Sequence, residues 1–192
     1  MKHLSGYSLL TLLAFAVLFS TAAGQRRDFV TEQEAELIRE AQEIDLRVEV
    51  LTKFIDRRLA AANIPGHTWT PPKKNAELWG PEPTGSQSEL LSDIKRLLQK
   101  SIDDIDDIAS RPKTAIEGNE VGGKLFPKAV RNLSAAATRY KPIFQAELEK
   151  SKSNTDKGLL IQSMEFCDQI IEAASQVPAE EPKKEEPKKK KT

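Results

Sequence analysis

The sequence predicts an all-α fold, an antiparallel four-helix bundle. Three observations carry the prediction. Apolar residues recur at three- and four-residue spacing in four separate stretches. No useful length alternates with period two, so no sheet is expected. Capping signatures stand at the head of two of the stretches.

Residues 1–24 precede the first of these stretches and read as a signal peptide. Lys2 gives a positive start, Leu9 to Phe19 is a run of eleven residues that is apolar apart from Thr11, and Ser20 to Gly24 are small. That order is the one export machinery reads, with cleavage expected before Gln25 or, one residue earlier, before Gly24. The rival reading is an uncleaved anchor. It is disfavoured because a spanning helix needs about 20 mostly apolar residues. The mature chain is then exported, to the periplasm or the outside of the cell.

The first helix is expected from Thr31 to about Ala62. Thr31 and Glu34 match a capping box. Leu37, Ala41, Ile44, Val48, Leu51 and Ile55 follow at spacings of four and three, a heptad seam of the coiled-coil kind. An unbroken helix of that length is a rod of roughly 48 Å at 1.5 Å per residue. Asn63-Ile64-Pro65-Gly66 stops it.

The second helix starts near Ser86, where Glu89 completes another capping box. Leu91, Ile94, Leu98, Ile102, Ile105 and Ile108 share its apolar face, and Pro112 ends it. The third is expected from Pro127, a favoured first-turn residue. Its face is Val130, Leu133, Ala137, Tyr140, Phe144 and Leu148, with Pro142 bending it. The fourth starts around Thr155, places Leu160, Met164, Cys167, Ile171 and Ala174 on one seam, and ends at Val177-Pro178.

Residues 25–177 therefore form the expected helical domain. Residues 178–192 hold six Lys, four Glu, three Pro and no large apolar side chain. Such a segment cannot bury enough surface to offset its chain entropy and is expected to be disordered.

Composition excludes several function classes. Lys plus Arg and Asp plus Glu are each 29, so no bulk positive charge points to nucleic acid. The mature chain keeps one histidine, His67, and one cysteine, Cys167. Structural zinc sites, an internal disulfide and a histidine-bearing di-iron site are therefore excluded. No catalytic set, metal site or cofactor is expected.

Four features mimic chemistry. Asp103, Asp104, Asp106 and Asp107 point away from the apolar face, toward solvent, within i,i+4 reach of Lys100 and Arg111. Gly118 to Leu125 resembles a phosphate-binding loop. Its final Ser or Thr is missing and no strand precedes it, so it reads as a flexible glycine hinge before the third helix. Asn132-Leu133-Ser134 fits a glycosylation acceptor but falls in mid-helix. Cys167 sits on a seam, as a buried structural thiol would.

The connection from Asn63 to Gly85 is the informative one. At about 23 residues it far exceeds the roughly 2–8 that bundle connections need. It carries five prolines, both tryptophans and His67. Exposed indoles are costly to leave in water, so the two Trp should fold back on the bundle. His67, Trp69 and Trp79 are the candidate binding residues.

The resulting expectation is an exported, non-enzymatic structural or protein-interaction module of the cell envelope or extracellular space. Its partner is an unidentified protein or a second copy of itself. Membrane contact is expected only through an uncleaved signal or weakly through the Lys-rich tail. The alternative is a small-molecule-binding protein or enzyme, with its site between the 63–85 loop and the bundle end.

Overall fold

A computed structural model describes residues 27–111 and 120–177. The expected signal peptide (1–24) and tail (178–192) lie outside the described residues. The fold is all-α, and no strand occurs among the described residues. Among the described residues it has five α-helices rather than four: α1 (Glu32–Glu40), α2 (Ile44–Ala61), α3 (Gln87–Ser110), α4 (Glu120–Lys150) and α5 (Asn154–Ala174). A short 3₁₀ turn, Ala76–Trp79, lies between α2 and α3.

The extra helix corrects the expected rod. Thr31 and Glu34 do form the capping box, but the helix breaks after Glu40 and restarts at Ile44. The cause is tertiary. Glu34 is drawn into contact with Arg57 and Arg58 near the far end of α2, so α1 must fold back beside it. The bend is closed by Arg47, whose Nε donates to the Ala41 carbonyl at 3.0 Å.

The start of α4 is a second correction. Its helix runs from Glu120, so Pro127 lies inside it with Pro142. Gly122 and Gly123 have helical backbone and are no hinge. Glycine costs about 1 kcal/mol in a helix, which the packing of a 31-residue helix overrides.

Ser86 caps α3 with its reciprocal Glu89 box as the sequence implies. Arg111 is extended where α3 stops, as a residue before proline should be. Ser153 caps α5 through the Asp156 amide at 3.2 Å.

The four long helices share one core. Each of α2 and α5 packs against both α3 and α4. Specific pairings fix their directions. Asp45 meets Lys128, Thr52 meets Tyr140 and Asp56 meets Arg139, so α2 and α4 run the same way. Ser88 meets Asp156 and Lys95 meets Gln162, so α3 and α5 also run together. Lys141 and Asp168 join the reversed pair α4 and α5. Helices consecutive along the chain therefore reverse, while two side-by-side pairs are parallel. These pairings do not describe a bundle in which every neighbour is antiparallel.

Val48, Leu51 and Ile55 of α2, Ile94 and Leu98 of α3, Tyr140 and Phe144 of α4, and Leu160 and Cys167 of α5 are fully buried. The seam of α5 slips by one position at its end: Ile170 enters the core and Ile171 is half-buried. Asp103, Asp106 and Asp107 face outward as their spacing implies, while Asp104 is half-buried. Lys100 pairs with Asp104 at 3.0 Å and Arg111 with Asp107 at 2.5 Å. None of the helices is long and apolar enough to cross a membrane among the described residues.

Candidate functional site: the tryptophan loop

The loop is built on the C-terminal half of α2. Asn63 adopts a left-handed conformation (φ 55°), which turns the chain off the helix end. Ile64 is buried immediately after and anchors the turn. The chain then returns across α2, where two consecutive charged residues, Asp56 and Arg57, hold it.

Asp56 ties three elements together. Both its oxygens accept from Arg139 of α4 at 2.8 Å. The Thr68 hydroxyl donates to it at 2.7 Å and the Thr68 amide at 3.3 Å. The bidentate guanidinium–carboxylate geometry is the strong, directional kind of ion pair.

Arg57 is the centre of the loop's far side. Its guanidinium lies 5.1 Å from the Trp69 ring centre and 5.9 Å from that of Trp79, within cation–π range. It donates to the carbonyls of Trp79 (3.0 Å) and Pro81 (2.9 Å) and to Glu34 (2.6 Å). The two indoles pack at 5.0 Å, and Trp79 meets Phe54 edge-on at 5.7 Å. The 3₁₀ turn delivers Trp79 to this place and ends on Gly80 (φ 62°), where an added Cβ would run into the Gln33 side chain.

Arg58 faces the other way. It donates to both Glu34 oxygens and, at 2.8 Å, to the Phe29 carbonyl. Glu34 is fully buried, and Arg57 and Arg58 are 2% and 1% exposed. Asp93 of α3 completes the cluster, 3.8 Å from Arg58 Nε and 3.0 Å from Arg27. Burial lowers the pKa of Arg57 against the pull of Glu34. Burial also pushes Asp93 up to about 6, against the pull of Arg27, Arg58 and Arg96.

Lys53, Asp56, Thr68, Trp69, Thr70, Pro72 and Trp79 line a groove of about 270 Å³ on this surface. Both tryptophans predicted from the sequence are in it, half-buried. His67 is not part of its wall; its Nδ1 is buried without a hydrogen-bond partner. Leu78, 46% exposed, stands on the 3₁₀ turn beside Trp79.

Three polar side chains of the groove are engaged. Lys53 pairs with Glu49 at 2.6 Å, Asp56 is held by Arg139, and the Thr68 hydroxyl is donated to Asp56. The hydroxyl–carboxylate pair of the groove, Thr68 on Asp56, has its acid held on both oxygens by Arg139. No group of three His, Cys, Asp or Glu that could hold a metal occurs among the described residues. Cys167 is buried between the helices, and burial pushes its thiol up to about 12, which removes thiolate character. What the groove offers is aromatic and proline surface on a rigid frame.

Glu34, Arg57, Arg58 and Asp93 organise this site, and the sequence marked only Glu34 among them, as the capping partner of Thr31 and not as a site residue. Compared with known proteins, the chain matches no protein family, no curated protein and no solved structure.

Proposed function

We propose that this chain is an exported, non-enzymatic helical-bundle protein of the cell envelope or extracellular space. Its tryptophan loop is the contact surface for a protein partner. The observation that carries the reading is a pairing of rigidity with exposure. Arg57 and Asp56 pin the loop through five hydrogen bonds between 2.7 and 3.4 Å. Trp69, Trp79 and Leu78 nevertheless keep part of their apolar surface open. A pre-ordered aromatic surface binds without first losing loop entropy, and tryptophan dominates interface hot spots. The export reading rests on the charged, apolar and small-residue order of residues 1–24.

A small-molecule site is the second reading, favoured by Trp69, Trp79 and buried Asp56 sharing one groove. Against it, ligand pockets usually reach about 300–1,000 Å³ with convergent free polar groups. Here the volume is smaller and the acid is spent on Arg139.

Two exposed leucines test the proposal. Leu78 is 46% exposed beside the groove, and Leu46 is 44% exposed at the opposite end of α2. A photo-crosslinking residue at Leu78, in the native envelope, should give a discrete protein adduct, and the same residue at Leu46 should not. No adduct at Leu78, or equal adducts at both, contradicts the reading. N-terminal sequencing should find Gln25 or Gly24 first; an intact Met1 in the membrane fraction contradicts export by cleavage.

A further inference from the structure

The break between α1 and α2 carries none of the local signals that stop a helix. Residues Ala41, Gln42 and Glu43 include no glycine and no proline, and all three tolerate helix. The start of α2 has no side-chain cap, whereas α1, α3 and α5 are capped by Thr31, Ser86 and Ser153. The apolar seam runs through the break without a change of phase: Leu37, Ala41, Ile44 and Val48 keep the spacing four, three, four. If residues 31–61 were one helix, the amides of Glu43 to Leu46 would bond to the carbonyls of Arg39 to Gln42. In the bent chain the bend itself is held by Gln42 donating to Glu40 and Arg47 donating to Ala41.

Local sequence therefore favours a straight helix, and distant contacts impose the bend. Those contacts all come from the arm of residues 27–40. Arg27 meets Asp93, the Phe29 carbonyl meets Arg58, and Glu34 meets Arg57 and Arg58. A single chain that straightened would leave two buried arginines without their shared carboxylate, a strongly unfavourable state. A second straightened chain removes that penalty, because its arm brings the same residues to the same places.

We propose that residues 27–40 exchange between two copies of this chain. Glu34 of each copy closes on Arg57 and Arg58 of the other, and residues 41–43 become helix. Exchange of an identical element is a low-cost route to a symmetric dimer, and here it adds helical hydrogen bonds at the hinge. The proposal concerns the arm and not the tryptophan groove, so its failure leaves the functional reading intact.

The test compares the chain from residue 25 onward with its Glu43→Pro variant. Glu43 has φ −81° in the bent form, which proline accepts, while a helix through position 43 does not. Both proteins are refolded at micromolar and at millimolar concentration and their masses are measured by light scattering after size separation. The unaltered chain should give a dimer that increases with refolding concentration. Its Glu43 to Leu46 amides should be better protected from hydrogen exchange than in its monomer. Glu43→Pro should weaken the dimer by about a hundred-fold or more, the factor matching a cost of roughly 3 kcal/mol for proline inside a helix. A chain that stays monomeric throughout overturns the proposal. So does a dimer that Glu43→Pro forms equally well, or one with unprotected amides at 43–46.

Discussion

Glu34 and Arg58 are 24 positions apart in the chain, yet Glu34 Oε2 lies 2.5 Å from Arg58 Nη2 with both side chains almost completely removed from solvent. The same carboxylate also receives Arg57 and the Thr31 amide. One side chain thus caps α1, pairs with two adjacent buried cations and fixes the arm to the end of α2. Through Arg57 it also reaches the carbonyls that hold Trp79 and Pro81.

Replacing Glu34 by Ala should therefore destabilise the protein by about 3–5 kcal/mol, the range for removing one partner of a buried ion pair. The loss of the capping interaction alone would cost only about 1 kcal/mol. Denaturant titration separates the two. A loss near 1 kcal/mol would mean that Arg57 and Arg58 find other partners or water when Glu34 is gone.

Asp93 gives the stability a pH dependence of definite sign. Four charged groups face it: Arg27 from the arm, Arg58 from α2, Arg96 from α3 and Glu34 from α1. Its carboxyl is raised from 3.8 to about 6 in the folded chain. Between these values the native state holds a proton that the unfolded chain has lost. Its contribution is fully present at low pH and is lost as pH rises through about 6. The unfolding free energy of Asp93→Asn, measured from pH 4 to 7, should lack this falling component relative to the unaltered chain. Identical slopes would show that Asp93 stays ionised in the fold across this range.

Core and surface positions should separate cleanly. Leu51→Ala removes a fully buried side chain and should cost about 2–5 kcal/mol. Asp103→Ala removes an exposed carboxylate bonded to Gln99 and should change stability by less than about 0.5 kcal/mol. Ile171→Ala should cost less than Leu51→Ala, because Ile170 takes the core position at that turn. Chemical denaturation of the three variants checks the order. An effect of Asp103→Ala as large as that of Leu51→Ala would reverse the assigned faces of α3.

Periodicity made the helices legible because each buries one stripe and exposes the other. Thr31, Ser86 and the run from Leu91 to Ile108 gave helix identity and two boundaries. The bend at residues 41–43 was not legible, since Ala-Gln-Glu on an unbroken seam is locally a helix. A trace of its cause was present. Glu34 and Arg58 lie three residues outward from Leu37 and Ile55 on the seam, so opposite charges flank the apolar stripe, which Leu59 continues. Trp69 and Trp79 were legible as fold-back residues from their cost in water. Their meeting on Arg57 was not, because it depends on the 3₁₀ turn that swings Trp79 over α2. His67 was singled out by rarity alone, and rarity gives no direction to a side chain. The early start of α4 was missed because glycine and proline are read as breakers, while 31 residues of helix tolerate both.

The central claim is that buried charges hold the loop as a prebuilt surface. Amide hydrogen exchange across residues 63–85 of the free protein tests it most directly. The amides of Ile64, Thr68, Leu78 and Gly80 donate to Leu59, Asp56, Asn75 and Glu77. They should be protected in the free protein and should lose protection in Glu34→Ala under conditions where the long helices stay protected. Exchange of every loop amide at the unprotected rate in the unaltered protein would contradict the account, since the surface would then not exist before a partner arrives.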